Sequence, residues 1–280
     1  MPDAASGEEA HPGAEADRAL LVEAAEAAGE IAAARFGTRV AIEEKADGQG
    51  PVTEIDLAVD RALKERLTAA RPDYGWLSEE TADGPERLSA DRVFIVDPID
   101  GTRAFIEGQT GWAVAVAVVE AGSVTAAAVH LPARSETYAA ALGGGATLGG
   151  APLLPEPAPH DLGNAEVLAA RPSFAPKHWP GGVPAIRRSF RSSLAWRLCL
   201  VAAGRFDGML TIRPSWEWDV AAGSLIASEA GRRVSDAMGA RLVFNARSPK
   251  TPGIMAADPR LHAHLVERRS EPGQGSSAAP

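Results

Sequence analysis

The sequence predicts a mixed fold, α+β or layered α/β, with helices stacked between sheets. Three observations carry this. Two long helical stretches open the chain. An alternating strand meander follows, from Trp112 to Leu142. Short strands and apolar helices then mix from Glu166 to Ala230. With 280 residues, 45% of them hydrophobic, the chain can bury a large core as one domain or two closely packed ones.

The elements follow in order. Asp17 reads as the cap of a helix reaching Phe36, with Leu20, Leu21, Ala24, Ala28, Ile31 and Ala32 on one side and Gly37 as its stop. A second helix spans Glu54 to Ala70, ahead of Pro72. Val93 to Val96 is short, apolar and β-branched, and predicts a buried strand. Trp112, Val114, Val116 and Val118 share one strand face and alanines the other. Glu120-Ala121-Gly122 turns the chain, Val124 to Leu131 returns, and Tyr138 to Leu142 adds a third strand. Gly143 to Gly150 reads as a loop. Strands are expected at Glu166–Ala169 and Gly208–Ile212, and helices at Ser193–Ala203 and Asp219–Ala230. Residues 1–16 and 269–280 have tail-like composition and are expected to be disordered. Between them lies one domain, with halves of about 17–150 and 151–268.

Composition excludes several function classes. The net charge of −9, with no basic stripe, argues against a nucleic-acid polymer as partner. The single cysteine, Cys199, excludes an internal disulfide or a thiolate cluster, and packing on a helix face is its expected role. No apolar run is long enough for stable membrane insertion, and the N-terminus lacks signal-peptide character, so a cytoplasmic location is expected.

The segment VDPIDGTRAF, from Val96 to Phe105, raises a chemical question. Asp97 and Asp100 are expected just past the end of the strand, with Pro98 denying a helical continuation. Two carboxylates on one rigid turn repel unless a cation lies between them, and hard divalent ions such as Mg²⁺ prefer such oxygens. Gly101 allows close backbone approach to an anion, and Thr102 offers a hydroxyl. The same residues also read as an Asp-Gly turn with a helix cap. Other acidic motifs are equally two-sided. Glu79-Glu80 fits a solvated face as well as a ligand pair. Asp219 fits an N-cap. Thr53 and Asp56 fit a capping box.

Taken together, PVTEID, LSEE, VDPIDGTRAF and WEWDVAAG, spanning Pro51 to Gly223, resemble the inositol monophosphatase-like superfamily of Mg²⁺-dependent phosphatases. The resemblance implies a layered αβαβα sandwich of the inositol monophosphatase/fructose-1,6-bisphosphatase type, with two or three Mg²⁺ ions and a small phosphorylated substrate. It makes Glu79, Asp97, the Ile99 carbonyl, Asp100 and Asp219 metal ligands, Glu79 thereby joining the catalytic set. Glu80 supports them. Thr102 and Asp56 match the pair that activates the attacking water, and the backbone of Gly101 and Thr102 matches the phosphate cradle. Both monomers and homodimers occur in such families.

Within the superfamily, LSEE, Arg103-Ala104-Phe105-Ile106, and Ser192-Ser193-Leu194 with Cys199-Leu200-Val201-Ala202 are similar to CysQ-type 3′(2′),5′-bisphosphate nucleotidases, although Arg191 replaces a glycine of that pattern. Seven residues before Asp219, where inositol enzymes often place a sugar-binding glutamate, stands Ile212. Arg213 is suited to a second phosphate, and also reads as a surface arginine; Ser192 and Ser193 read as substrate contacts or helix caps. The expected reaction is conversion of 3′-phosphoadenosine 5′-phosphate, a by-product of sulfate assimilation, to AMP and phosphate. Inositol-1-phosphate is the alternative, then histidinol phosphate, then a catalytically inactive binding protein on the same fold.

Overall fold

The computed structural model describes residues 13–44, 50–159 and 161–270. The first half contains α1 (Ala14–Ala33), a hairpin of β1 (Ile42–Glu44) and β2 (Pro51–Thr53), and α2 (Glu54–Ala70). These are followed by β3 (Gly75–Ser78), β4 (Arg92–Asp100) and the short α3 (Thr102–Ile106). Then come β5 (Ala113–Glu120), β6 (Ser123–Leu131), β7 (Glu136–Ala141), β8 (Gly145–Leu148) and β9 (Ala151–Pro152). The second half contains β10 (Glu166–Ala169), β11 (Arg187–Ser189), α4 (Leu194–Ala202), β12 (Gly208–Thr211), β13 (Ser215–Trp216) and α5 (Glu217–Glu229). It ends with β14 (Arg233–Ser235), β15 (Lys250–Thr251), β16 (Ile254–Ala257) and α6 (Pro259–Arg269).

Strands β3 to β9 form a seven-stranded sheet in sequence order, antiparallel except for the parallel pair β3–β4. The second sheet has the order β11-β10-β12-β16-β14. Alternation along the strands decides what each face buries. In β5, Val114, Val116 and Val118 pack with α1 and α2, whereas Ala113, Ala115 and Ala117 pack with α4 and α5. In the second sheet, Leu168, Met209 and Ala256 face α4 and α5, and Val167, Leu210 and Met255 face α6. The result is a five-layer αβαβα sandwich, the fold class expected.

Several local expectations need correction. Asp17 is not a cap: α1 begins three residues earlier, behind Gly13, inside the stretch assigned to the N-terminal tail. Asp17 is instead buried in the first turn, accepting from Arg71 Nε (2.9 Å) and the Tyr74 hydroxyl (3.0 Å). The helix stops at Ala33, and Phe36 turns away to pack on Phe105 and Trp112. Ile31, assigned to the apolar face, is exposed. β4 runs four residues beyond Val96, so Asp97 and Asp100 lie within it. The Gly143–Gly150 loop contains β8. Helix α6 was not expected, and it includes Arg269, assigned to the C-terminal tail. The remaining tail residues, 1–12 and 271–280, lie outside the described residues. Among the described residues, no helix is long and apolar enough to cross a membrane.

Contact between α4 and α5 depends on Gly223, the last residue of the WEWDVAAG motif. A Cβ there would lie 2.6 Å from Leu198 Cβ and 3.2 Å from the Ala195 carbonyl. Gly223→Val should therefore destabilise the protein by about 1–3 kcal/mol through overpacking. An unchanged denaturation midpoint in urea would show that the helices do not meet this closely.

Candidate active site

A bulge in β4 builds the carboxylate pair. Asp97 lies opposite Ala115 and Asp100 opposite Ala113, so three steps on β4 match two on β5. Residues three apart on a regular strand face opposite sides. The extra residue turns both aspartates to the face covered by α4 and α5. Pro98 sits inside this irregularity, a position where a strand tolerates a missing N–H.

Glu79 arrives by strand register. Ser78 lies opposite Val96 in the parallel pair, and the Glu79 N–H continues the ladder to the Val96 carbonyl (3.2 Å). The next residues on the two strands, Glu79 and Asp97, therefore meet. Burial, then the charges of Glu79, Asp100 and Asp219, push Asp97 well above the usual carboxylate range. A side-chain contact with Glu79 adds to the same rise.

Asp219 comes from α5. It occupies the third helical position rather than the cap, and its carboxylate reaches back to the Trp216 N–H. Burial, then Asp100 and Glu79, raise it well above its ordinary value.

Asp100 points at α4. One of its oxygens accepts from the Ser193 hydroxyl and the Ala195 N–H, both at 2.6 Å. Burial still raises its pKa to about 6, against the pull of these bonds and of the Arg197 charge. Ser193 also caps α4 by accepting from the Trp196 N–H (2.9 Å). It is completely buried, which fits the helix-cap reading of this residue. The Ser192 hydroxyl donates to the Gly111 carbonyl (2.6 Å).

Asp56 and Thr102 meet as expected. The capping box on α2 is real: Thr53 Oγ1 and its N–H both donate to Asp56 Oδ2, at 2.5 and 2.8 Å. This leaves Oδ1 facing the Thr102 hydroxyl at 3.2 Å. That hydroxyl is also 3.1 Å from the Ile99 carbonyl. Burial raises the Asp56 pKa, with Thr53 opposing and the Glu79 charge adding. Gly101 precedes Thr102 at φ 99°, and a Cβ there would lie 3.0 Å from the Gly111 carbonyl, so only glycine fits this corner.

This donor set suits a hard divalent cation. Asp97 Oδ1 is buried and has no hydrogen-bond partner. Three further carboxylates, Glu79 at the end of β3, Asp100 on β4 and Asp219 on α5, lie around Asp97, and every available donor is oxygen. Among the described residues no three of these groups already converge on one point. They engage one another and helix-end N–H groups instead, and their mutual repulsion is what a cation would relieve.

Beside the cluster lies a cavity of about 490 Å³, lined by Phe190, Ser192, Leu194, Arg197, Ile212 and Arg213, among others. Arg197 was not foreseen. It is buried, lies 4.4 Å from the Phe190 ring centre, and donates to the Arg191 carbonyl (2.6 Å). Its signal was available as the one charge in the otherwise apolar LAWRLCLVA. Burial lowers its pKa to about 10, the Asp100 charge opposing and Arg213 adding to the fall. A larger hollow, about 830 Å³, lies at the other end of β4 around Arg92 and Glu120, and none of the predicted site residues lines it.

Residues 14–274 match the model of the inositol monophosphatase family. The chain belongs to that family. It is 36% identical to an inositol-1-monophosphatase of Rhizobium meliloti (strain 1021) over 236 residues, 79% of this chain and 85% of that protein. It is 32% identical to Nus factor SuhB of Escherichia coli (strain K12) over 264 residues, 90% and 95% of the two chains. Among solved structures, an IMPase of Thermotoga maritima superposes with a TM-score of 0.75 at 29% identity, covering 90% of this chain and 95% of that one. Membership makes the chain a phosphatase of the inositol monophosphatase type, a family generally dependent on Mg²⁺.

The raised carboxylates set a pH dependence. Asp100 holds its proton more tightly folded than unfolded, so its contribution to metal-free stability falls as pH rises from about 4 through about 6. Mg²⁺ needs ionised ligands. The rise in Tm on adding Mg²⁺ should therefore grow from about pH 5 to about pH 7. An equal rise at both would remove these carboxylates from the metal site.

Proposed function

We propose that the chain hydrolyses 3′-phosphoadenosine 5′-phosphate to AMP and phosphate, using Mg²⁺. The phosphatase chemistry is supported by the crowded carboxylates and the unpartnered Asp97 oxygen. The observation that carries the substrate is the adjoining cavity. Phe190, Leu194 and Ile212 give it apolar walls, and Arg197 and Arg213 put two guanidinium groups near each other. A polyhydroxylated ring left against such walls would lose hydrogen bonds to water without replacement. A base and ribose carrying a second phosphate match both the apolar and the cationic parts.

Glu79, Asp97, Asp100, Asp219 and the Ile99 carbonyl would hold the ions. Bound Mg²⁺ supplies Lewis-acid polarisation of the phosphoryl group and of water, and neutralises developing charge. Thr102, its hydroxyl 3.2 Å from Asp56 Oδ1, orients the attacking water, and Asp56 is the acceptor to which a proton passes. Burial makes Asp56 a better base than an exposed aspartate. The N–H groups of Gly101 and Thr102 stabilise the phosphoryl oxygens. No covalent step is needed. Cys199 is buried, its thiol is pushed well above its ordinary value by burial, and it is unsuited to attack.

Inositol-1-phosphate is the second reading, favoured by the name of the Rhizobium meliloti relative. Retention of every expected carboxylate counts against a binding protein without turnover. A cytoplasmic enzyme, monomeric or homodimeric, completes the proposal.

Asp97→Asn should lower Mg²⁺-dependent phosphate release at least about 100-fold while the protein stays folded. Near-normal turnover would end the metal assignment. Assays of the two substrates side by side should give a higher kcat/KM for the nucleotide, and Arg213→Ala should lower that value more than the value for inositol-1-phosphate. A preference for inositol-1-phosphate would keep the mechanism and reject the nucleotide; equal losses would take Arg213 out of second-phosphate binding.

A further inference from the structure

Helix α2 carries two buried carboxylates one turn apart, and the mechanism uses only Asp56. The other, Asp60, is 5% exposed. Its Oδ1 accepts the Ser78 hydroxyl at 2.5 Å, and its Oδ2 accepts the Thr81 hydroxyl at 2.7 Å. Those two hydroxyls flank Glu79 and Glu80. Ser78 Oγ also receives the Glu80 N–H (3.4 Å), and Thr81 Oγ1 receives the indole N–H of Trp76 (3.3 Å). The Glu79 N–H is meanwhile fixed to the Val96 carbonyl. The Glu79–Glu80 segment is thus tied to β4 by its backbone and to α2 by both flanking side chains.

A buried carboxylate is unfavourable unless well hydrogen-bonded. The adjacent core positions of α2, Val59 and Leu63, are filled by aliphatic side chains. An acid at position 60 therefore has a use that packing alone does not explain. We propose that Asp60 is a positioning residue for the metal centre: it clamps Ser78 and Thr81 so that Glu79 stays directed at Asp97. Through α2 it also couples Glu79 to the Asp56–Thr102 pair, because Asp56 and Asp60 are successive residues on one helix face. The inference rests on the proposed role of Glu79 as a metal ligand.

Calorimetric titration with MgCl₂ of the full chain, wild type and Asp60→Asn, tests it. Groups that orient a ligand typically contribute 10–100-fold in metal affinity, so Mg²⁺ should bind the variant about 10–100-fold more weakly. The kcat should return toward the wild-type value at saturating Mg²⁺. A purely structural role would lower the Tm and leave Mg²⁺ affinity unchanged. The pair Ser78→Ala and Thr81→Val, with Asp60 intact, should weaken Mg²⁺ binding in the same direction, and it decides the matter if Asp60→Asn does not fold. Equal Mg²⁺ affinity in wild type and a folded variant overturns the clamp alone. Failure of the wild type itself to bind Mg²⁺ overturns the proposed function, and the clamp with it.

Discussion

Electrostatic repulsion among Glu79, Asp97, Asp100 and Asp219 is the constraint around which the middle of the molecule is arranged. Burial raises the energy of the ionised forms of Asp97, Asp100 and Asp219, and neighbouring carboxylates raise those of Asp97 and Asp219 again. Folding such a cluster requires compensation from the surroundings, and the local structure is organised to provide it. Asp100 lies at the N-terminus of α4 and Asp219 in the first turn of α5, where the helix dipole favours negative charge. Among the described residues Asp97 has no such helix end to face, and its carboxyl is held well above the usual range by burial and by its acidic neighbours. The compensation is partial, and the remainder makes the site receptive to a cation.

The same arrangement explains the layering. Asp97 and Asp100 come from the seven-stranded sheet, while Ser193, Ala195 and Asp219 come from the central helices α4 and α5. The site exists only when those two layers are in register. Gly223 lets the helices approach each other closely enough for both to present their N-terminal ends to one strand. Core packing and chemistry are therefore linked through α4 and α5.

Much of the fold could be read locally. The bounds of α2 were legible because Thr53 and Asp56 form a reciprocal cap and Pro72 follows its end. The β5–β6 hairpin was legible because valine and alanine alternate across it. Other features depend on contacts distant in sequence. The bulge in β4 is visible only against β5, so local sequence alone points to the two aspartates lying beyond the strand rather than in it. Ser193 has the composition of a substrate contact and the geometry of a cap. Asp60 looks like one more acidic residue on a helix until Ser78 and Thr81 are seen against it. β8 was hidden by the glycines around it. α6 had its signals, Asp258 as cap and Pro259 in the first turn, but its many charged residues obscured the apolar face of Leu261 and Leu265.

The bulge at Pro98–Ile99 has a consequence for how this segment tolerates change. The ligand expected from Ile99 is a carbonyl common to every residue, so its side chain answers to packing alone, in the core beneath α1 and α2. The length of the segment has no such freedom. Removing one residue between Asp97 and Asp100 would erase the bulge: the two aspartates would stay opposite Ala115 and Ala113 on one face, but the irregular backbone that carries the Ile99 carbonyl would be lost. Adding one would send Asp100 toward the helices α1 and α2 and away from α4. Variation between these two aspartates should therefore consist of substitutions, with insertions and deletions selected against.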